Sequence, residues 1–366
     1  MALAHYLFDI ANVFTGCFTC LPAPALYINN RSYKIQRLLG EGGFAYVYLV
    51  QAENGELFAL KKIRCPFGAE SLQHAKNEIE SYKIFNDEHI IHYVDSSVVQ
   101  ERDGSKTVYI VLPYFRQGNL QDTINANLIN GNSFDEKDAL DLFLEIAKGV
   151  RVLHHHRAHG LSSGPTRSTA SSSTANLSIA ATDTAEVQPL MDIPLSTTGT
   201  SAPSSDVVPY SHRDIKPANI MISQVGVPVL MDLGSCARAR TVITSRRQAL
   251  EVQDLAAEHC SMPYRAPELF DVKTNTVIDE KIDIWSLGCT FFALLYNNSP
   301  FEMQTAESGA SLSLAVINGQ YRIPDLPAYS EATKNIIRTC LTVEPKNRPD
   351  IDNIIVQITA ARQQFP

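Results

Sequence analysis

Apolar, aromatic and β-branched residues dominate three short stretches early in the chain, at 33–39, 45–51 and 57–63. A glycine-rich turn at 40–43 and an Asn-Gly turn at 54–55 separate these stretches. Runs of this length and composition between turn residues are typical of β-strands. Because both connections are short, neighbouring strands must run antiparallel. The pattern therefore predicts an antiparallel meander.

Further along the chain the pattern favours helices. Residues 71–85 have helical character, and an apolar run at 108–112 predicts one more buried strand. Ser133 and Glu136 have the spacing of a capping box that opens a helix through Leu153. The apolar positions of this helix share one face: Leu140, Phe143, Leu144, Ala147 and Val150. We therefore expect an α+β protein with a strand-rich N-terminal lobe containing one helix and a mainly helical C-terminal lobe.

Composition narrows the class of protein. Hydrophobic residues make up 45% of the 366, which suffices for a sizeable core in a two-lobed globular chain. With 39 acidic and 31 basic side chains the net charge is −8, which gives no general attraction to nucleic acid. The seven cysteines lack a framework spacing, so mostly free thiols in an intracellular, reducing compartment are expected. No run approaches the roughly 20 apolar residues of a membrane-spanning helix.

The strongest chemical signal is the octapeptide at 212–219, which reads HRDIKPAN. It places the carboxylate of Asp214 five residues before the carboxamide of Asn219. The carboxylate can hold a substrate hydroxyl while the amide binds a divalent ion beside it, and phosphoryl transfer needs this geometry. The alternative is a polar turn between two strands. A simple turn would not require specific residue types at five of the eight positions, as this octapeptide has.

The octapeptide resembles the catalytic loop of the protein kinase family. The triplet APE at 266–268, the run DIWSLG at 283–288 and Arg348 match the kinase C-terminal lobe, and small-molecule kinases with a similar loop lack this downstream set. The resemblance runs from the first strand to the C-terminus, apart from one insertion, and implies the bilobal protein kinase fold. It also implies a buried structural ion pair between Glu268 and Arg348.

The resemblance assigns the catalytic and metal-binding roles. Asp214 accepts or orients the hydroxyl proton, and Lys216 neutralises the transferring γ-phosphoryl group. Asn219 and Asp232 bind Mg²⁺. The implied reaction is transfer from ATP to serine or threonine of protein substrates, and the resemblance leaves tyrosine open as a side acceptor. Two rival readings are a pseudokinase scaffold and a small-molecule phosphotransferase.

The nucleotide site is implied in the same way. Glycines in the first turn let backbone N–H groups approach phosphates, although such a turn alone could be an ordinary hairpin. Lys61 contacts the α and β phosphates, and Glu78 is its expected ion-pair partner. Glu80 is a weaker candidate, because it would lie about 200° around the helix. Leu112 takes the gatekeeper position. The cofactor-binding residues are Leu39, Gly40, Gly42, Val47, Ala59, Lys61, Glu78 and Phe115, the last through its backbone.

Composition changes abruptly within 161–208, which contains no aromatic residue and few charges while Ser, Thr and Ala dominate. Such a segment cannot bury enough apolar surface to offset its ordering entropy, so we predict a disordered insertion. It interrupts a connection that is short in kinases, and its two ends must therefore stay close. The expected domains are a lobe and hinge at 31–115 and a second lobe at 116–366, and the kinase domain is expected to be monomeric.

Details of the sequence narrow the resemblance. The runs EGGFAYV at 41–47, VLMDLGS at 229–235 and YRAPELF at 264–270 are similar to the numb-associated kinases, in the branch of the myristoylated and palmitoylated serine/threonine kinase and its fungal vacuolar relatives. Residues 245–248 also have capping-box spacing, and 246–259 contains neither Gly nor Pro. These features predict a helix inside the activation segment, which lies between Asp232 and Glu268. The alternative is a loop of accidental helical composition.

Residues 1–30 form an apolar and aromatic N-terminal segment outside the predicted kinase domain. No second cysteine pair or His cluster completes a zinc site with Cys17 and Cys20. Position 2 is Ala, so N-myristoylation is not expected. Cys17 and Cys20 are instead candidates for acylation, since two acyl chains give stable membrane attachment. We expect a peripheral location on vacuolar or Golgi-like membranes, partly cytoplasmic, with incidental free thiols as the alternative.

Overall fold

The computed structural model describes residues 25–42, 45–66, 69–157 and 207–366. They fall into two compact units. The first comprises the chain up to Ala75 together with Tyr93–Tyr114, and the second comprises Lys76–His92 and Phe115–Pro366. The first unit is built on strands and the second mainly on helices, as the sequence predicts.

A six-stranded antiparallel sheet forms the first unit, in the order β1-β2-β3-β4-β6-β5. The strands are β1 (Leu26–Ile28), β2 (Arg31–Glu41), β3 (Ala45–Ala52), β4 (Leu57–Cys65), β5 (Asp95–Gln100) and β6 (Lys106–Pro113). The predicted meander is β2 to β4, and the apolar run before the hinge is β6. The sequence patterns missed β1, which has only three residues, and β5, whose polar first half lacks a strand signal.

One buried cluster joins the strands of the first unit. Its members come from β1 to β4 and β6: Ile28, Tyr33, Val50, Phe58, Leu60, Tyr109 and Val111. Tyr33 and Phe58 pack edge to face with their ring centroids 5.9 Å apart, an arrangement that aromatic pairs prefer. Asn29 adds a polar link at the rim, where its side-chain amide donates to Asp95 Oδ1 over 2.7 Å. The sheet is therefore held by a continuous apolar core.

Nine helices lie within the described residues. They are α1 (Ala69–Ile84), α2 (Leu120–Asn130), α3 (Glu136–His154), α4 (Arg246–His259), α5 (Lys281–Tyr296), α6 (Pro300–Ser308), α7 (Leu312–Ile317), α8 (Glu331–Cys340) and α9 (Ile351–Arg362). Short strands add three two-stranded sheets: β7 (Tyr210–Ser211) with β10 (Ala237–Arg238), β8 (Ile220–Ile222) with β9 (Pro228–Leu230), and β11 (Thr241–Ile243) with β12 (Thr276–Ile278).

Helix α5 is the centre of the second unit. Every residue from Ile282 to Tyr296 is buried, as expected of a helix that is apolar on all sides. A Cβ placed on Gly288 would lie 2.5 Å from the Cβ of Cys340 on α8, so only glycine permits this close approach of the two helices. The central helix therefore anchors segments that reach it from distant parts of the chain.

The start of α3 differs from the prediction. Asp135, rather than Ser133, is the N-cap, and its side chain accepts from the N–H of Lys137 over 2.9 Å. Glu136 does not close a capping box, because its carboxylate accepts from the N–H and the hydroxyl of Ser330. The predicted face is otherwise buried, except that Leu144 is half-buried and Ile146 takes its place in the core.

The described part of the chain stops at residue 157 and resumes at residue 207, and these two residues lie side by side. Arg157 and Val207 form an antiparallel bridge, and the N–H of Val208 donates to His156 O over 2.8 Å. The chain therefore leaves and re-enters the described part at neighbouring points, as a looped-out insertion requires. Val207 and Val208, the last two residues of the predicted range 161–208, are paired, and residues 158–206 lie outside the described residues.

The cysteines of the described ranges are free and buried: Cys65, Cys236, Cys260, Cys289 and Cys340. Burial raises the pKa of Cys340 to about 12. Burial, followed by the nearby Asp214 carboxylate, raises the pKa of Cys260 to about 12 as well. These groups are therefore protonated thiols at neutral pH, as expected of cysteines that only pack. Cys17 and Cys20 lie outside the described residues.

Residues 76–92 group with the second unit because their backbone pairs with strand β9. The N–H of Leu230 donates to His89 O over 2.7 Å, and the N–H of Ile91 donates to Leu230 O over 2.9 Å. The buried ring of His89 lies 2.8 Å from Asp87 Oδ1 and 2.9 Å from Glu145 Oε2. Burial lowers the pKa of His89, but the hydrogen bonds and charges of Glu145 and Asp87 outweigh it, and the pKa is raised above 6.5.

Replacing His89 by Gln is expected to cost more stability at acidic than at alkaline pH. A raised folded-state pKa means that protonated His89 contributes fully below the unfolded value of about 6.5, and that this contribution is lost as pH rises through the folded value. Urea unfolding of wild type and His89→Gln at about pH 5.5 and 8.5 measures the difference. An equal loss of unfolding free energy at both pH values would contradict the ion-pair account of His89.

Candidate active site

The carboxylate of Asp214 is held from three sides. Lys216 Nζ donates to Asp214 Oδ2 over 2.7 Å, and Asn219 Nδ2 donates to the same oxygen over 3.0 Å. The other oxygen, Oδ1, accepts from the backbone N–H of Ser261 over 2.9 Å. Asp214 is also largely buried. A carboxylate fixed in this way presents a preset acceptor to an incoming hydroxyl.

The loop that carries Asp214 is anchored from behind by Asp283, at the start of the central helix. The N–H groups of His212 and Arg213 donate to the two oxygens of Asp283 over 2.7 and 2.9 Å. His154 Nε2 lies 3.0 Å from the same carboxylate, which is fully buried. Arg213 has a φ of 71°, a conformation that a non-glycine residue keeps only when its surroundings hold it. The buried Asp283 therefore determines the course of the catalytic loop.

Ser261 is a site residue that the sequence analysis missed. Besides its N–H contact, its hydroxyl oxygen accepts from Lys216 Nζ over 2.6 Å. Lys216 thus joins Asp214 and Ser261 in one hydrogen-bonded group. No local pattern marks Ser261, because it lies 47 residues from Asp214.

Asn219 and Asp232 are brought near one another by the backbone. The N–H of Met231 donates to Asn219 O over 3.0 Å. Asp232 follows Met231 in the chain, so its backbone lies close to that of Asn219. Asn219 Nδ2 donates both to Asp214 O and to Asp214 Oδ2, which leaves Asn219 Oδ1 as the atom suited to a metal ion. One carboxylate and one amide oxygen fit Mg²⁺, which takes a few protein oxygens and fills its octahedron with water and phosphates. The described ranges contain no group of three or more His, Cys, Asp or Glu that could hold a metal ion by itself.

The candidate phosphate-contacting residues of the first unit form one row across three strands. Gly40 on β2 lies opposite Val47 on β3, which in turn lies opposite Lys61 on β4. Residues directly opposite in a sheet point to the same face, and so do residues two apart on one strand. Val47, Ala59 and Lys61 therefore share one face of the sheet. Leu39, another candidate for the nucleotide site, is the residue before Gly40 on β2.

The turn between β2 and β3 is only partly described. The N–H of Gly42 donates to Ala45 O over 2.7 Å and closes the turn, whereas Gly43 and Phe44 lie outside the described residues. At the other end of the sheet, Leu112 is buried and lies opposite Ala59. Phe115 follows β6 as the first residue of the second unit, and its carbonyl accepts from Gly118 N–H over 3.3 Å.

Of the two candidate acids on α1, Glu78 has the surroundings of a functional carboxylate. It is 5% exposed, whereas Glu80 is exposed and pairs with Lys83 over 2.9 Å on the surface. The hydroxyl of Tyr82 donates to Glu78 Oε1 over 2.9 Å. These surroundings favour Glu78 over Glu80.

A model of the family described as "Protein kinase domain" matches residues 33–159 and 209–358. The chain belongs to the protein kinase family. The gap between the two matched parts falls on the predicted insertion, and the two units have the strand-rich and helical content of the bilobal α+β kinase fold.

Three relatives give the class of this kinase. The serine/threonine-protein kinase ENV7 of Saccharomyces cerevisiae is 41% identical over 341 residues, covering 90% of this chain and 91% of the relative. The serine/threonine-protein kinase ppk13 of Schizosaccharomyces pombe is 36% identical, with 95% and 94% covered. The serine/threonine-protein kinase 16 of Homo sapiens is 33% identical, with 93% of each chain covered. The chain is thus an ATP-dependent serine/threonine-protein kinase.

The activation segment of this kinase contains the predicted helix. Helix α4 begins after Ser245, whose hydroxyl accepts from the N–H of Gln248 over 3.2 Å. In a capping box the side chain of Gln248 would accept from the N–H of the N-cap residue, Ser245. Here it accepts instead from the N–H of the preceding residue, Thr244, over 2.9 Å. A capped helix gives the segment its own local order.

The predicted ion pair of Glu268 and Arg348 is present. Arg348 donates from both terminal nitrogens to the Glu268 carboxylate, over 2.8 and 3.1 Å, and its side chain is fully buried. The same guanidinium also donates to the carbonyls of Thr342, Val343 and Lys281. Arg348 therefore ties the end of the activation segment to the start of α5 and to the α8–α9 connection.

Proposed function

We propose that this kinase transfers the γ-phosphate of ATP to protein serine and threonine, with Asp214 accepting or orienting the hydroxyl proton. The observation that carries the proposal is the fixed carboxylate: Ser261, Lys216 and Asn219 all donate to it. A base held in one orientation needs no reorganisation when the hydroxyl arrives, and positioning supplies most of the acceleration in phosphoryl transfer.

The remaining roles follow from chemistry and position. Lys216 contributes a positive charge beside Asp214, where the transferring phosphoryl group carries negative charge. Asn219 and Asp232 offer oxygen atoms to Mg²⁺, which neutralises phosphate charge when bound. Lys61 holds the α and β phosphates with Glu78 as its counter-charge, and the backbone of Phe115 takes the adenine. The walls of the nucleotide site are assigned to Leu39, Gly40, Gly42, Val47 and Ala59.

A peptide library with serine, threonine and tyrosine acceptors tests this proposal. Wild type is expected to label serine and threonine peptides in the presence of Mg²⁺, and Asp214→Asn is expected to label them at least about 100-fold more slowly. Equal labelling by the two proteins would reject the role of Asp214. Absence of label with wild type would favour a pseudokinase scaffold instead.

We further propose that the kinase belongs to the numb-associated branch and acts at membranes, in vacuolar or Golgi membrane traffic. The motifs at 41–47, 229–235 and 264–270 and the helix α4 support the branch. None of the helices in the part of the chain that the structure covers has the length and apolarity to cross a bilayer. The attachment that we propose is acylation of Cys17 and Cys20, each buried methylene contributing roughly 0.8 kcal/mol.

The variant Cys17→Ser/Cys20→Ser is expected to move from the membrane fraction to the cytosol with unaltered kinase activity, each single variant lying between. Two chains give stable attachment whereas one is marginal. The matched control Phe14→Ser/Phe18→Ser separates acylation from partitioning of aromatic side chains, and it is expected to stay on the membrane. If hydroxylamine leaves wild type on the membrane and the cysteine double variant fractionates like it, thioester acylation is not the anchor.

Deletion of residues 162–204 is expected to leave kcat/KM within about twofold of wild type, because low-complexity sequence contributes little packing. The Arg157–Val207 bridge brings the flanking residues together, so a short connection can replace the segment. Steady-state kinetics of the purified deletion variant measures the effect. Insoluble expression, or a tenfold loss of activity, would show that the segment is needed for folding or catalysis.

A further inference from the structure

Arg265 is a buried cation near the end of the activation segment, and the residue is 7% exposed. Its guanidinium donates to Cys260 O over 2.8 Å from Nη2 and over 3.3 Å from Nε, and to Ala257 O over 3.2 Å. The ring of Phe270 covers it, with the guanidinium carbon 5.0 Å from the ring centroid, a distance at which a cation and a ring attract each other. Backbone carbonyls and an aromatic ring of the described chain thus hold this charge.

The main partner of Arg265, Cys260 O, belongs to the peptide unit that also contains the N–H of Ser261. That N–H donates to Asp214 Oδ1 over 2.9 Å. A peptide unit is planar, so the direction of its carbonyl fixes the direction of its N–H. A carbonyl that accepts a hydrogen bond also polarises the unit and strengthens the bond that its N–H donates. Arg265 is therefore linked to the Asp214 carboxylate through one peptide unit.

This link reaches Asp214 from outside its own loop. Lys216 and Asn219, which lie within five residues of Asp214, both donate to Oδ2. The bond to Oδ1 comes instead from the activation segment, 47 residues away in the sequence. The orientation of the carboxylate therefore depends on how the Cys260–Ser261 peptide unit is held.

The simpler alternative is that Arg265 only caps α4. Ala257 and Cys260 lie at the C-terminal end of this helix, where a basic side chain is favourable. Exposed basic side chains can do this in water, so capping alone does not require a buried guanidinium. Two of the three hydrogen bonds, including the shortest, go to Cys260 O, the carbonyl that is joined to the Ser261 N–H.

We propose that Arg265 is a positioning residue, which fixes the Cys260–Ser261 peptide unit so that the Ser261 N–H holds Asp214 in the orientation that receives the substrate hydroxyl. This role rests on the proposed function of Asp214. It couples the end of α4 to the catalytic carboxylate, so a displacement of the helix end would reach the base through a single peptide unit.

Arg265→Met tests the proposal, because it removes the charge and the donors while keeping an extended side chain against Phe270. We expect the rate constant of transfer to fall about tenfold, the effect of one lost hydrogen bond to a charged group, while the KM for ATP stays within about twofold. Single-turnover labelling with enzyme in excess measures this constant independently of the folded fraction. A wild-type rate constant, or a loss confined to the KM of the peptide, would overturn the proposal.

Ser245→Ala is the matched control for the order of α4. It removes the N-cap at the opposite end of the helix, where the Ser245 hydroxyl accepts from the N–H of Gln248 over 3.2 Å, and leaves Cys260 untouched. Loss of the cap should lower stability, whereas the rate constant of transfer should stay within about twofold of wild type. If Ser245→Ala slows transfer as much as Arg265→Met, the order of the helix sets the rate and the positioning role is overturned.

A double-variant cycle shows whether Arg265 acts through the Ser261 N–H. Ser261→Pro removes this N–H and suits the backbone, because Ser261 has φ −62° and Cys260 has φ −106° and ψ 125°. Ser261→Ala keeps the N–H and is the reference background. Arg265→Met should slow transfer about tenfold in Ser261→Ala but less than about twofold in Ser261→Pro. Equal losses in both backgrounds would overturn the proposal.

The outcome for Asp214→Asn separates this proposal from the function on which it rests. Wild-type transfer by Asp214→Asn would refute the proposed function itself. Slow transfer by Asp214→Asn together with a wild-type rate constant in Arg265→Met would remove only the role of Arg265.

Discussion

Alanine in place of Asp214 is expected to lower kcat by a factor of about 10² to 10⁴, the range for loss of a general base. Lys61→Met and Asp232→Ala are expected to abolish measurable transfer, because they remove the proposed phosphate contact and the proposed metal ligand themselves. The residual activity of Asp214→Ala follows from positioning, since Lys216 and Ser261 remain bonded to each other.

These losses should occur without unfolding. Lys61 and Asp232 are only half-buried, so neither is part of an apolar core. Single-turnover rates together with thermal midpoints measure both properties. Asp325→Ala, which removes an exposed carboxylate paired with Arg322, is the control and should retain full activity. Wild-type rates in the Lys61 variant would contradict the mechanism.

Loss of Arg348 is expected to be the most destabilising of these substitutions. Arg348→Met should reduce the free energy of unfolding by about 3–5 kcal/mol, because it leaves Glu268 and three carbonyl groups without their donor. The control Arg247→Met removes an ion pair with Glu251 that lies on the surface, and should cost under about 1 kcal/mol. Urea unfolding of both variants provides the comparison.

The double variant Glu268→Leu/Arg348→Met separates the ion pair from the carbonyl contacts. Removing both charges eliminates the unpaired carboxylate, so it should recover part of the loss. A loss of under about 1 kcal/mol for Arg348→Met, similar to the surface control, would show that the buried pair does not hold the activation segment.

Local sequence was sufficient for most of the longer elements of this kinase but not for all of its contacts. The strands β2 to β4 and the helix α4 follow from composition, turn residues and caps within a few positions. The pair of Glu268 and Arg348 is 80 residues apart and was predictable only because the chain resembles a known family. A helix or strand can be predicted from neighbouring residues, whereas a contact between distant residues can be predicted only when the fold is known.

Two of the missed contacts are long-range. Ser261 donates its N–H to Asp214, 47 residues away in the sequence. Ser330 donates its hydroxyl to the Glu136 carboxylate, 194 residues away, and this contact is present instead of the predicted capping box of Ser133 and Glu136. A serine hydroxyl has no sequence pattern that names its partner, since it donates and accepts equally well.

The most direct test of the account follows the γ-phosphate itself. Purified wild-type chain is incubated with γ-labelled ATP, Mg²⁺ and a peptide with one serine, beside the same peptide with alanine at that position. The account predicts label on the serine hydroxyl that depends on Mg²⁺ and that forms at least about 100-fold more slowly with Asp214→Asn. Label on the alanine peptide, transfer that persists in chelator, or undiminished transfer by Asp214→Asn would contradict it.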